Sequence, residues 1–267
     1  YLNGKRTVEA VRDFSIEIKK GEFVALMGKS GSGKSTILAM MGGLLPPSDG
    51  RVLFEGRNLL EMPDAELRQV RGAQIGMVFQ DPLSALNPVL TIETQMAELL
   101  RAHERHPPPE VRRRLVGALE DVGLPDPEAA LAAYPHELSG GMRQRVLIAM
   151  AVSARPKLVI ADEPTSALDV TIQAQLIAIF RTLKQTHRMT LLLISHDLGM
   201  IVQLADRVAV MYAGHIVEEA PTAVLFRSPR HPYTRGLLEA IPSRRRATGR
   251  LQGIPGHVPD AADLPAG

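Results

Sequence analysis

Cysteine and tryptophan are missing from all 267 residues, and aromatic side chains make up only 4% of them. Without cysteine there is no disulfide framework and no thiolate-ligated metal within these residues. So few rings leave no row of aromatics on which single-stranded bases could stack. An excess of one charge is lacking too. Lys and Arg total 31 against 29 Asp and Glu, a formal charge of +2. That balance gives no electrostatic footprint for nucleic acid, and no nucleic-acid partner is expected. Long apolar runs are also missing. The longest candidates, residues 146–154 and 191–194, fall well short of the roughly 20 residues that span a bilayer. No secretory signal peptide is visible. The chain opens at Tyr1 rather than at methionine, so a preceding segment is expected.

What is present is a globular composition with a phosphate motif. Hydrophobic residues are 45% of the chain, enough for one large domain or a domain with an insertion. Residues 28–36 read Gly-Lys-Ser-Gly-Ser-Gly-Lys-Ser-Thr, the phosphate-cradling pattern G-x-x-x-x-G-K-[ST]. Gly31 and Gly33 let the backbone wrap closely around phosphate oxygens with N–H groups turned inward, and Gly28, Ser30 and Ser32 stand with them as candidate nucleotide-binding residues. Lys34 is placed to reach the β- and γ-phosphates, and the Ser35 hydroxyl to ligate Mg²⁺, with Thr36 beside it. A helix starting near Lys34 aims its positive end at the anion.

Four short apolar runs each end in a polar residue or glycine: 23–27 before Gly28, 75–79 before Gln80, 158–161 before Asp162, and 191–195 before His196. Continuous apolar runs of this length are the habit of strands buried on both faces of a parallel sheet. Ligands of open α/β sheets bind beyond the carboxyl ends of the strands, so Gly28, Gln80, Asp162 and His196 are expected around one crevice. Helices are expected over 34–45, stopping before Pro46, and over 170–187 with Asp169 as N-cap. Residues 50–56 have short-strand character. Residues from about 83 to 155 carry helical patterns, interrupted at Pro107, Pro108 and Pro109. Beyond about residue 236 the composition turns to Pro, Gly, Arg and Ala and reads as loosely ordered. The Arg112–Arg114 and Arg244–Arg246 clusters read as solvated faces.

Residues 158–163, Leu-Val-Ile-Ala-Asp-Glu, have the form of a Walker B strand. Its Asp162 would hold hydrated Mg²⁺ through water, and Glu163 would polarise the attacking water as general base. Leu138-Ser139-Gly140-Gly141-Met142-Arg143-Gln144-Arg145 resembles the signature motif of ABC-transporter ATPases, usually L-S-G-G-Q; it begins, as in that family, some two dozen residues before Asp162. Met142 departs from the commonest Gln, as it does in many peptide-importer members. Ser139 would cap a helix whose free N–H groups bind a second phosphate. The resemblance then implies further roles. Gln80 matches the Q-loop glutamine, which touches Mg²⁺ and senses the membrane partner. Ser166 to Asp169 match the D-loop, His196 the switch histidine on the γ-phosphate, and Tyr1 the aromatic that stacks on adenine. Six motifs stand in the family's order, and the resemblance covers the chain from Tyr1 to about Pro242.

The stretch from Val78 to Pro88, Tyr134-Pro135-His136-Glu137, the run from Ala167 to Gln175, and His231-Pro232-Tyr233-Thr234-Arg235-Gly236-Leu237-Leu238 resemble the dipeptide/oligopeptide/nickel importer branch more closely. Lys29 stands where that branch often has Glu, at a free position of the loop. The resemblance implies an α/β fold: a P-loop NTPase (RecA-like) core with a mainly parallel sheet, an antiparallel β subdomain and a helical insertion. It divides the chain into core (1–82), helical subdomain ending in the signature (83–155), second core part (156–236) and C-terminal extension (237–267). The implied activity is transport-coupled ATP hydrolysis with ATP and Mg²⁺, driving uptake of di- and oligopeptides. Nickel, glutathione or another small solute is the alternative cargo, and a non-transport ABC ATPase the remoter reading. The implied partners are a second, homologous ATPase subunit in a head-to-tail dimer, whose site Ser139, Gly140 and Gly141 complete, two membrane permease subunits, and indirectly an extracytoplasmic substrate-binding protein. The implied location is the cytoplasmic face of a bacterial or archaeal cytoplasmic membrane. In many members of the branch a cysteine-rich segment thought to hold an iron–sulfur cluster follows a Pro/Gly stretch like 253–267, so any such cluster is expected beyond Gly267.

Overall fold

The computed structural model describes the backbone of residues 2–3 and 6–7, and residues 9–104, 106–166 and 168–240 in full. In chain order the elements are β1 (Leu2–Asn3), β2 (Arg6–Thr7), β3 (Phe23–Met27), α1 (Lys34–Met41), β4 (Leu53–Phe54), β5 (Arg57–Asn58), α2 (Asp64–Val70), β6 (Ile75–Val78), α3 (Pro82–Ala85), α4 (Ile92–His103), α5 (Pro108–Asp121), α6 (Pro127–Ala132), α7 (Gly140–Ser153), β7 (Leu158–Asp162), α8 (Val170–His187), β8 (Thr190–Ile194), α9 (Leu198–Leu204), β9 (Arg207–Tyr212), β10 (His215–Pro221), α10 (Thr222–Arg227) and α11 (Pro232–Glu239). The chain divides into two compact units, one of Tyr1–Ile18, Phe23–Ile37 and Ile194–Gly267, the other of Lys19–Glu22 and Leu38–Leu193.

In the first unit the strand order is β10-β9-β3. β3 runs parallel to β9, with Met27 opposite Val210, and β10 returns antiparallel to β9 with a bulge between Ile216 and Glu218. All five residues of β3 are buried, as its unbroken apolar run requires. β9 is a fifth apolar run that the four-run reading leaves out. Ala25, Met27, Val208 and Val210 form an apolar cluster with Ile201 of α9, Leu225 of α10, and Tyr233 and Leu238 of α11. That packing keeps the chain helical through Glu239, three residues past the point where composition alone reads as loose. Residues 241–267 lie outside the described residues.

In the second unit the order is β8-β7-β6, and β6 pairs parallel with β7, Val78 opposite Ala161. Helix α7 lies on β6 so closely that a Cβ on Gly76 would stand 2.3 Å from the Ala151 carbonyl oxygen. The expected helical insertion is present: α3 to α7 occupy residues 82–153 with no strand among those described. α5 packs on α4, α6 and α7, around fully buried Met96, Leu100, Leu115, Leu119, Leu131 and Ile148. Thr91, Asp126, Ser139 and Asp169 each cap a helix by accepting a backbone N–H. The Pro107–Pro109 break separates α4 from α5, with Pro108 at the first helical turn where its missing N–H costs nothing. Arg112 bridges Glu93 of α4 at 2.7 Å and also Glu128 of α6, while Arg113 pairs with Glu110 at 2.7 Å and Arg114 with Glu104. β4 and β5 form a small antiparallel ribbon.

Several boundaries differ from expectation: β8 covers Thr190–Ile194 rather than 191–195, and the short strand expected over 50–56 is confined to Leu53–Phe54. α1 stops at Met41, not at residue 45, because Gly43 takes φ +70° and the Leu44 N–H donates to the Ala39 carbonyl at 2.7 Å. That glycine stop acts before the prolines are reached. β6 ends at Val78, and Phe79 is 44% exposed. The close approach at Gly76 yields a prediction. Gly76→Ala has to displace backbone, an overpacking cost of about 1–3 kcal/mol, so thermal melting should fall by about 3–10 °C. A melting curve superimposed on that of the unmodified chain would contradict the packing described.

Candidate functional site

The phosphate-type loop lies in the first unit, between β3 and α1. Gly28 leaves β3 with its backbone against β9. A Cβ there would lie 2.5 Å from the Met211 carbonyl oxygen and 2.7 Å from Ser32 Oγ. Gly31 and Gly33 take φ +81° and +98°, the left-handed region that glycine enters without strain. A Cβ on Gly33 would also meet the Ala10 carbonyl oxygen at 2.4 Å. The loop closes on itself where the Ser32 N–H donates to the Lys29 carbonyl at 3.3 Å and the Gly214 N–H donates to the Ser32 carbonyl at 3.2 Å.

Lys34 opens α1 and is 92% buried, its ammonium donating to the carbonyls of Gly28 at 2.7 Å and Lys29 at 2.8 Å. A buried cation needs such dipoles around it. Its reach back over the loop puts a positive charge within the loop's curl. Ser30, Gly31 and Ser35 are exposed and Ser32 is buried. The first turn of α1 thus presents the Ser35 hydroxyl to the outside. Tyr1 lies outside the described residues. His196 belongs to this unit. It is exposed in the turn after β8, where the Asp197 N–H donates to Ser195 Oγ at 2.9 Å and Asp197 caps α9.

In the second unit the β6–β7 register decides what meets. Val78 faces Ala161, so two residues further along Gln80 and Glu163 leave the strand ends side by side. Gln80 Nε2 donates to Glu163 Oε2 at 3.2 Å. Glu163 has φ 44°, an uncommon conformation for a residue with a side chain and one that clusters where geometry serves a site. The turn is held by the Ser166 N–H and Oγ, which donate to the Glu163 carbonyl at 3.0 and 2.9 Å. Asp162 is half-buried at the end of β7.

Ser139 caps α7, accepting from the Met142 N–H at 3.3 Å, and leaves the exposed first turn with Gly140. Gly141 is buried, and a Cβ there would lie 3.1 Å from Ile172 Cγ2. The start of α8 packs at that point, and Asp169 accepts from the Ile172 N–H at 2.9 Å. Sequence reasoning gave no role to one contact in the first unit. The Lys29 N–H donates to the hydroxyl of Tyr233, 204 residues away, at 3.2 Å. The only signal for it was the His-Pro-Tyr run, noted as a branch mark.

Among the described residues no group of three or more His, Asp or Glu could hold a metal on its own. Each unit by itself offers few oxygen donors, the Ser35 hydroxyl in the first and the Gln80 amide and Asp162 carboxylate in the second. Neither is a closed protein cage, and such donors suit Mg²⁺ that arrives with a phosphate ligand. No residue here could ligate an iron–sulfur cluster through sulfur from cysteine, because the chain has none.

The two left-handed loop glycines separate two effects. Gly33→Ala should lower both the melting temperature and nucleoside triphosphate binding, the latter by at least about tenfold, because strain of about 1–2 kcal/mol adds to a backbone clash. Gly31→Ala, with nothing within 4 Å of its Cβ, should cost clearly less in both. Equal effects would contradict the contact with Ala10.

The chain resembles known proteins over most of its length. The family model "ABC transporter" matches residues 11–166, and "Oligopeptide/dipeptide transporter, C-terminal region" matches residues 217–267. The dipeptide transport ATP-binding protein DppD of Bacillus subtilis (strain 168) is 46% identical over 266 residues, 98% of this chain and 79% of that relative. The oligopeptide transport ATP-binding protein OppD of the same organism is 46% identical over 97% of this chain and 74% of its own length. Among solved structures, the dimeric MJ0796, a bacterial ABC transporter cassette, superposes with TM-score 0.76 at 32% identity, covering 83% of this chain and 94% of its own. A post-hydrolysis state of the same cassette, bound to ADP and Pi, matches equally well. The chain belongs to the ABC transporter family of P-loop ATPases, with the C-terminal region of its oligopeptide/dipeptide branch.

Proposed function

We propose that this chain is the ATP-binding and ATP-hydrolysing subunit of an ABC importer that takes up di- and oligopeptides, working at the cytoplasmic face of a bacterial or archaeal cytoplasmic membrane. The observation that carries the hydrolytic part is Glu163, held in a left-handed turn directly after a buried strand with its carboxylate on the Gln80 amide. The peptide part rests on relatives named for dipeptide and oligopeptide transport at 46% identity. Among the described residues no helix is long and apolar enough to cross a membrane, which suits a subunit that docks on separate permeases.

Each residue has a task in this reading. The N–H groups of the 28–36 loop and Lys34 take the β- and γ-phosphates. Lys34 then exchanges the Gly28 and Lys29 carbonyls for phosphate oxygens. By resemblance, Ser35, Gln80 and Asp162 would hold Mg²⁺, which when bound would neutralise phosphate charge. Glu163 orients and deprotonates the attacking water, His196 holds the γ-phosphate end, and Tyr1 stacks on adenine. Ser139, Gly140 and Gly141 serve the site of a second ATPase subunit in a head-to-tail dimer, with Asp169 at the junction. The dimeric state of the similar cassette supports that arrangement. The helical insertion, about residues 83–155, and Gln80 pass closure to two membrane permeases, and cargo is chosen by them and an extracytoplasmic binding protein. The ion pairs on Arg112, Arg113 and Arg114 weigh against their serving as phosphate-backbone contacts.

Glu163→Gln should bind ATP yet turn it over at least about a hundredfold more slowly, the loss expected on removing a general base. Near-normal turnover would remove Glu163 from that role. Lys34→Ala should weaken ATP binding, and unchanged affinity would contradict the loop's assignment. Uptake of labelled di- and oligopeptides, beside nickel and glutathione, in cells carrying native chain or Glu163→Gln tests the cargo. Selective loss of peptide uptake is expected, whereas loss of nickel uptake alone would move the chain to the other cargo of its branch.

A further inference from the structure

We infer that Tyr233 is a positioning residue for the nucleotide loop: its hydroxyl holds the Lys29 peptide, and with it the exposed turn from Lys29 to Gly31, in the shape whose N–H groups take phosphate. The inference rests on the reading of residues 28–36 as the ATP-phosphate loop and gives the C-terminal helix a part in it.

The Lys29 residue is gripped at both of its backbone polar groups. Its N–H donates to Tyr233 Oη at 3.2 Å, and its carbonyl accepts from Lys34 Nζ at 2.8 Å and from the Ser32 N–H at 3.3 Å. The side chain of Lys29 and the next two residues, Ser30 and Gly31, are exposed, and a Cβ on Gly31 would find open space. This outer half of the loop therefore has little packing to hold it. The phenol is a rare external anchor there, one hydrogen bond and one residue away from the ammonium that meets phosphate.

The anchor itself is firmly placed. The Tyr233 side chain is almost wholly buried in the cluster with Met27, Val210 and Leu238, its ring tilted on Tyr212 with centroids 4.5 Å apart. The start of α11 is pinned by Glu218 of β10, whose carboxylate accepts from the N–H groups of Arg230 at 2.8 Å and His231 at 3.0 Å. His231 Nδ1 then accepts from the Tyr233 N–H at 3.2 Å. Burial pushes the Tyr233 phenol above its ordinary value, so a neutral hydroxyl stands there. Phenylalanine would fill the same space and leave the Lys29 N–H without this acceptor.

The test is equilibrium titration of the full chain with mant-ATP and Mg²⁺, with thermal melting and adenosine binding alongside, for native protein, Tyr233→Phe, Tyr212→Phe and Lys34→Ala. Tyr233→Phe should weaken mant-ATP by about three- to tenfold, the scale of one neutral hydrogen bond. Its melting temperature should stay within about 2 °C, adenosine binding should not move, and in steady-state turnover KM should rise with kcat within about twofold. Tyr212→Phe should bind as the native chain does. Unchanged mant-ATP affinity of Tyr233→Phe would overturn the inference. So would a loss that is shared with Tyr212→Phe, or that tracks a fall in melting temperature, since that is packing alone. Failure of the native chain to bind mant-ATP, or unimpaired binding by Lys34→Ala, would instead overturn the phosphate-loop reading on which the inference rests.

Discussion

The buried strand β3 runs into a loop whose backbone passes so close to its neighbours that two of its positions leave no room for a side chain. At Gly28 the Met211 carbonyl oxygen stands 2.5 Å from where a Cβ would be, and at Gly33 the Ala10 carbonyl oxygen stands at 2.4 Å. The first unit is built to bring these backbones together. Parallel pairing of β3 with β9 carries Gly28 to Met211, and the turn after β9 returns a hydrogen bond from Gly214 to Ser32. Lys34 completes the curl by folding back on the loop's own carbonyls. Loop, strand and helix are thus one device, and in the proposed reading an anion replaces those internal dipoles without rebuilding the fold.

Parallel register does comparable work in the second unit. The offset that sets Val78 beside Ala161 also sets Gln80 beside Glu163, so a pair 83 residues apart meets at 3.2 Å because two strands end level. Neither residue needs an unusual environment to be brought there. The left-handed turn at Glu163, closed by Ser166 on the Glu163 carbonyl, leaves its carboxylate at the strand end beside Gln80. Both units place candidate site residues at the carboxyl ends of parallel strands, with left-handed residues, Gly31 and Gly33 in one and Glu163 in the other, in the turns that follow.

Much of this was legible in the residues themselves. Strand β3 and helix α8 run over the spans their apolar patterns predict, and Ser139 and Asp169 cap the helices that follow them. Local signals suffice where one face or one cap decides the outcome. The shortfalls have local reasons as well. α1 is stopped by the left-handed Gly43 before the prolines, and β9 stands outside the four expected runs although Val208 to Met211 are as apolar as the others. What no local pattern carries is register and long-range contact. The Gln80–Glu163 bond depends on how two strands align, and the Lys29–Tyr233 bond on where a helix two hundred residues later comes to rest. Tyr1 and residues 241–267 lie outside the described residues, so the adenine contact expected of Tyr1 stays an expectation from resemblance.

The central claim is that Lys34 trades loop carbonyls for nucleotide phosphate while Glu163 faces the bond to be broken. A structure of the chain with Mg²⁺ and a non-hydrolysable ATP analogue tests it most directly. The account predicts the γ-phosphate on Lys34 Nζ, with the Gly28 and Lys29 carbonyls released and Glu163 across a water from the phosphorus. Nucleotide bound elsewhere, or Lys34 still donating to both carbonyls with the analogue in place, would contradict it.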